Sequence, residues 1–184
     1  MRKLKLQVQI SIDGFIAGPA AEMDWLEWNW GEDIANYVTA LTEPVDTIVM
    51  GRKLAEGFIP HWEAAAKSPE HVPGAEKMSS TPKIVFSHTL EKHNWPNTTL
   101  AHNPEAVITA LKETAGGDII AYGGASFVSH LIEKGLVDEF FLFVNPAALG
   151  SGMPIFAGLQ NPLTLNLVEA VPFGCGITVL RYTL

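Results

Sequence analysis

Two short segments carry the residues best suited to hold an anion. They are Met50-Gly51-Arg52-Lys53 and Tyr122-Gly123-Gly124-Ala125-Ser126-Phe127. Each follows a short apolar run and precedes a helical pattern, so each is a predicted strand-to-helix junction. The first turn of a helix presents unpaired N–H groups and a partial positive charge, and phosphate binds there readily. Glycine lets the backbone come close to such a ligand. Arg52 and Lys53 in a first turn oppose the helix dipole, a conflict that an anion beside them relieves. Two solvated surface cations are the alternative at the first junction, and a tight turn capped by Ser126 at the second. Two such junctions in one parallel sheet together favour a dinucleotide phosphate site at the C-terminal edge of the strands.

Other chemistry-bearing residues are sparse. Trp25, Trp28 and Trp30 crowd one loop-like stretch, residues 15–30. Rings of that size either stack on an aromatic substrate or enter the core. Asp13-Gly14 is a turn former. The first strand is not followed by GxGxxG, so the usual dinucleotide fingerprint is missing. There is no P-loop, no GxSxG elbow, and no CxxC, HExxH or clustered His/Cys pattern, so no metal site is expected. Cys175 is the single cysteine, which rules out an internal disulfide.

The elements that must position these residues follow from periodicity. Leu4, Leu6, Val8, Ile10 and Ile12 alternate with polar residues, a period of two that predicts a strand with one apolar face. Ile34, Tyr37, Val38 and Leu41 share a helix face that Pro44 ends. Thr47–Met50 is a short strand and a helix opens at Gly51-Arg52-Lys53. Residues 60–82, rich in Pro, Ser, Ala and Glu, are expected to form an irregular excursion. Strands are predicted at 83–87 and 98–101. Asn103-Pro104-Glu105 starts a helix, with an N-cap, a proline at the first helical position and an acid in the first turn. Strand 118–122, a helix capped by Gly135, and a β-type run at 137–144 come next. That run, Phe140 to Phe143 included, suits either core burial or a subunit interface. Strands at 163–171 and 177–184 close the chain as an antiparallel pair. Strands alternating with helices predict an α/β protein with helices on both faces of a mostly parallel sheet, in one domain spanning 1–184.

Bulk properties narrow the function classes. The chain has 184 residues, 47% of them hydrophobic and 17% charged, which excludes disorder. A formal net charge of −8 argues against a nucleic-acid partner, so an anionic ligand needs a local site. Lys5, Gln7 and Gln9 interrupt any apolar block behind Met1-Arg2-Lys3, so a signal peptide is not expected, and neither is a membrane partner. The expectation is a cytoplasmic protein.

Six motifs in order resemble a known family. They are Ser11-Ile12-Asp13-Gly14-Phe15-Ile16-Ala17, Val49-Met50-Gly51-Arg52, Val85-Phe86-Ser87, Gly123-Gly124, Gly135-Leu136-Val137-Asp138-Glu139, and Leu149-Gly150-Ser151-Gly152-Met153-Pro154-Ile155-Phe156. Over roughly residues 4 to 183 the chain resembles the C-terminal reductase domain of RibD and its stand-alone relatives in the dihydrofolate reductase superfamily. The resemblance implies a dihydrofolate reductase-like three-layer α/β/α fold, NADPH as cofactor, and a homodimer. It implies that Arg52, with Lys53 and Gly51, meets the adenosine 2′-phosphate, and that Ser87 and His88 flank the adenosine. Gly123, Gly124, Ala125 and Ser126 then match the pyrophosphate turn, and Ile16 and Ala17 the loop against the nicotinamide. By the same resemblance Asp13 is the candidate proton donor and Asp33 or Glu32 the candidate carboxylate for the substrate ring, while the three rings Trp25, Trp28 and Trp30 are the candidate roof over it. Riboflavin-pathway reductases carry an arginine where Phe15 stands and a D-D-P-x-L-T-x-R stretch where Arg52–Pro60 stands. The arginines that grip a substrate phosphate are therefore missing. The expected function is reduction of a small heteroaromatic or imine-type substrate. The competing expectation is a non-catalytic protein that sequesters such a ligand.

Overall fold

The computed structural model describes all 184 residues. Its frame is an eight-stranded sheet. In spatial order the strands are β5 (Thr98–Ala101), β4 (Lys83–Phe86), β3 (Val45–Gly51), β6 (Asp118–Tyr122), β1 (Leu4–Ile10), β7 (Glu139–Val144), β10 (Thr178–Thr183) and β9 (Asn166–Pro172). The first six pair in parallel, whereas β10 runs antiparallel to both β7 and β9. A two-stranded ribbon, β2 (Phe15–Ala17) with β8 (Met153–Pro154), lies outside the main sheet. The fold is thus the expected three-layer α/β arrangement, with a mostly parallel mixed sheet and antiparallel C-terminal strands.

Helices cover both faces. Helices α4 (Pro104–Glu113) and α5 (Ala125–Glu133) bury Ile108, Val128, Leu131 and Ile132 against one face, where Leu4, Leu6, Val8 and Ile10 of β1 lie. Helices α1 (Glu32–Thr42), α2 (Arg52–Lys67) and α3 (Ala75–Ser80) bury Ile34, Leu41, Ala55, Ile59 and Met78 against the other, with Ile48, Met50, Phe141 and Phe143. Because α1 sits over β1, the polar positions of that strand are covered as well. Lys5 and Gln7 are both 8% exposed, so β1 is a central strand buried on two faces rather than the half-wet strand its alternation predicts. Ile12, counted in that strand by periodicity, lies beyond it and is 67% exposed. The run 137–144 is interior for the same reason: β7 lies between β1 and β10, and Phe140 to Phe143 divide between the two cores, which removes this run as a subunit interface.

The expected excursion at 60–82 holds regular structure instead. Helix α2 continues through Pro60 to Lys67, and α3 follows. A proline inside a helix removes one hydrogen bond and costs roughly 3 kcal/mol. Packing offsets that here: Ala55 and Ile59 are buried, Trp62 packs at the core margin, and Glu63 accepts a hydrogen bond from Ser79 of α3. No helix is long and apolar enough to cross a membrane.

Candidate functional site

The C-terminal ends of β3, β4 and β6 open into a cleft of about 640 Å³. Its walls include Gly51, Arg52 and Lys53 from the start of α2, Gly124, Ser126 and Phe127 from the start of α5, and Ser87 and His88 from the end of β4. The two junctions singled out by residue type therefore share one recess. They also touch. A Cβ placed on Gly51 would meet Cβ of Phe127 at 3.2 Å, and one on Gly123 would meet Val128 Cγ2 at 2.9 Å. At Gly51 a side chain would crowd the start of α5, and at Gly123 it would strike the first turns of the helix that follows it. Gly124 is different: a Cβ there meets nothing within 4 Å, and its backbone (φ −73°, ψ 158°) suits any residue. The bare position leaves open approach from the cleft to the first turn of α5.

Neither α2 nor α5 has a side-chain cap, so their leading N–H groups are free to bind an anion. Helix α4, which also borders the cleft, is capped by Asn103, whose side chain accepts from the Ala106 N–H. Arg52 is about one-third exposed and pairs with Glu56 one helical turn on, so the conflict between its charge and the helix dipole is eased within the chain. The Ser87 hydroxyl accepts from the Thr89 and Leu90 N–H groups and holds the turn after β4. The Ser87 carbonyl accepts from Nδ1 of His102, which fixes the proton on that nitrogen and leaves Nε2 of this cleft residue as the free ring position. Phe86 and Phe127 stack at 5.4 Å and form the apolar floor. His102, His130 and Glu105, which also line the cleft, were not anticipated. His102 directly follows β5, and that place at a strand end was the available signal.

The remaining candidates lie elsewhere. Gly123 and Ala125 adjoin the cleft in the chain without lining it. Ile16 and Ala17 sit in the β2 ribbon and are buried in a core. The Asp13 carboxylate accepts hydrogen bonds from the Ser11 hydroxyl (2.6 Å) and from the N–H groups of Gly150 (2.6 Å) and Leu149 (3.1 Å). These bonds hold its pKa down at about 2. An acid that strong carries no proton to give near neutral pH, so Asp13 is a clamp between two loops rather than a proton donor. The Asp33 carboxylate likewise accepts from the Gly174 N–H (3.0 Å) and from Ile34 in the first turn of α1 (2.8 Å), and both lower its pKa. It ties α1 to the β9–β10 turn and does not border the cleft.

The tryptophans split three ways. Trp30 stacks on Phe143 at 6.3 Å and joins the second core, Trp28 leans on Trp30 at 5.9 Å while staying 64% exposed, and Trp25 donates to the Glu22 carbonyl. Fully buried Asn145 anchors their loop: its Oδ1 accepts from the Glu27 N–H (3.0 Å) and its Nδ2 donates to Gln9 Oε1 (2.8 Å). The loop thus stands at the C-terminal ends of β1 and β7. This is the same sheet edge as the cleft, two to three strand spacings from β3, or about 10–14 Å.

Comparison with known proteins agrees with this layout. The family model described as the RibD C-terminal domain matches residues 2–179. The uncharacterized proteins YyaP and YwjB of Bacillus subtilis (strain 168) are 31% and 30% identical over 98% and 94% of this chain, and over 94% and 93% of their own lengths. The riboflavin biosynthesis protein RibD of Corynebacterium ammoniagenes is 26% identical, and the match spans only 47% of it. Among solved structures, a putative riboflavin biosynthesis protein from Shewanella sp. PV-4 superposes with a TM-score of 0.72 at 21% identity, covering 100% of this chain and 98% of its own. A diaminohydroxyphosphoribosylaminopyrimidine deaminase/5-amino-6-(5-phosphoribosylamino)uracil reductase from Thermotoga maritima gives 0.69 at 17% identity, covering 99% of this chain and 56% of that one. With the order of its motifs, its sheet and nearly all of its length accounted for, this chain belongs to the RibD C-terminal domain family.

Proposed function

We propose that the protein is an NADPH-dependent reductase of a small heteroaromatic or imine-type substrate. The observation that carries this reading is the convergence of two uncapped helix N-termini, with Arg52 and Lys53, on one cleft beside the bare Gly124. These features fit a phosphorylated dinucleotide. Arg52 and Lys53 would hold the 2′-phosphate, the N–H groups at Gly124–Ser126 the pyrophosphate, and Ser87 and His88 would flank the adenosine. When bound, the cofactor supplies a hydride. The protein's part is to bind, orient and exclude water. A homodimer belongs to the same proposal, supported by the outermost strand β9, which leaves Leu167 and Val168 exposed; light scattering tests it.

Calorimetric titration with NADPH and NADH tests the cofactor assignment. Arg52→Ala should weaken NADPH by about 2 kcal/mol, roughly thirtyfold, because a charge-assisted contact to phosphate is lost. NADH, which lacks that phosphate, should change little. Equal NADPH affinity in both proteins would remove the assignment.

A second reading, sequestration without turnover, is favoured by one observation: both carboxylates expected to serve the substrate are occupied by backbone N–H groups. Following the nicotinamide absorbance with NADPH and a panel of heterocycles separates the two readings. Binding without NADPH consumption across the panel would establish sequestration.

A further inference from the structure

The cleft suits an anion, yet one of its walls carries a carboxylate. Glu105, in the first turn of α4, is the only acidic residue among those that line it. A first-turn acid is favoured by the helix dipole. The Glu105 carboxyl is held below the usual range, first by its own backbone N–H and then, against desolvation, by His130 and Lys134. It is therefore ionised near neutral pH, and a negative charge on that wall repels a phosphate.

That charge has one partner in the wall. Nε2 of His130, on α5, lies 3.0 Å from Oε1 of Glu105, and both side chains are partly open to solvent. A carboxylate only accepts, so Nε2 carries a hydrogen in either charge state, and the proton that comes and goes sits on Nδ1. His130 stands one helical turn after Ser126 on the same face of α5, and both line the cleft. Histidine is the side chain that ordinarily changes charge between about pH 5 and pH 8.

The groups around His130 leave this role to it. Lysine and arginine stay charged through that range. On α5 itself Lys134 pairs with Glu133, and on α2 Arg52 pairs with Glu56, with Lys53 beside it. At the strand ends His88 and His102 also line the cleft; neither pairs with a carboxylate, and His102 Nδ1 is committed to the Ser87 carbonyl. Residues 153–159, which meet α5 through Ser129, carry no titratable side chain. At His130 alone a proton decides whether the one carboxylate of the cleft is compensated. We infer that His130 is a proton-controlled binding residue for the proposed nucleotide: protonated, it cancels Glu105 and admits the phosphates; neutral, it leaves Glu105 to repel them. Nucleotide binding then takes up a proton. The inference deepens the cofactor reading and rests on it.

The test titrates the full chain with NADPH by calorimetry between about pH 6 and pH 8, in two buffers of different ionisation enthalpy, which counts the protons exchanged on binding. The 2′-phosphate of the ligand, a monoester that ionises near about pH 6, titrates alike with every variant, as do His88 and His102, so differences between variants report His130. His130→Lys carries a fixed charge and should keep the tight, low-pH affinity throughout, whereas wild-type affinity should fall at least about fivefold further over the range. His130→Gln should stay at the weak, high-pH level. The wild type should take up about 0.4 proton more than either variant near the midpoint, which is the amount a fivefold linkage requires. Glu105→Gln removes the repulsion and should tighten NADPH about fivefold at the upper end of the range. It should also lose the extra proton, and it decides the matter if the histidine variants do not fold. A wild-type pH profile that matches those of the histidine variants, or weaker NADPH binding in Glu105→Gln, overturns the inference and leaves the cofactor reading standing. No NADPH binding at any pH overturns both.

Discussion

Arg52 meets its ligand, on the proposed reading, only by leaving Glu56. Both side chains are partly exposed, and pairs of this kind contribute about 0.2–1 kcal/mol. Glu56→Gln should therefore tighten NADPH by roughly twofold to fivefold, the opposite of Arg52→Ala. Calorimetry on the two variants checks the contrast. Asp13 permits a prediction with a definite sign. Its pKa is held at about 2, below the ordinary carboxylate value near 3.9, so the clamp is complete above about pH 4 and is lost as pH falls toward 2. Asp13→Asn should abolish that acid-range change and speed amide exchange at Leu149 and Gly150, as hydrogen-exchange mass spectrometry would report. The junction residues at 51–53 and 123–126 were legible because a helix start is a local matter. The roles of Asp13 and Asp33 were not. Their partners, Gly150 and Gly174, lie more than a hundred residues away in sequence, and nothing near either aspartate signals them.

At the scale of elements, the strand-to-helix rhythm of the chain carried the sheet, because each unit is bounded by glycine, proline or an N-cap. Two elements escaped that rhythm. Pro60 signals an end to α2 that buried contacts at Ala55 and Ile59 override, and β1 alternates as a wet strand although α1 covers its polar side. The glycines at the helix starts give a paired prediction. Gly51→Ala forces a methyl against Phe127 at 3.2 Å and should cost on the order of 1 kcal/mol while moving α5 away from α2. Gly124→Ala has open space and an ordinary backbone, so its stability should stay within about 0.5 kcal/mol of wild type, and its defect should be in nucleotide affinity. Melting curves with and without NADPH separate the two outcomes.

For the molecule as a whole, Glu139 joins the parallel and antiparallel parts of the sheet. It is 2% exposed on β7 and binds Lys3, ahead of β1, and Arg181 on β10. Burial pushes its pKa up, but the hydrogen bonds from Lys3 and Arg181 outweigh that and hold it below the usual range. Its contribution is present above the unfolded carboxylate value near 4.3 and is lost in acid. Glu139→Gln should cost about 2 kcal/mol near neutral pH and shrink as pH drops below 4, as denaturant melts at several pH values would show. The overall architecture was legible from periodicity and motif order together. The second face of β1 was not, because a helix that covers a strand leaves no trace in the strand's own residues.

The contact between Gly51 and Phe127 has a kinetic corollary. With no side chain to act as a spacer, the two helix starts are wedged together before any nucleotide arrives, so the mouth of the recess has little room to open or shut. Capture should then proceed in one encounter. In stopped-flow mixing the observed rate should climb in proportion to NADPH concentration without levelling off, because no slow rearrangement stands between collision and the final complex.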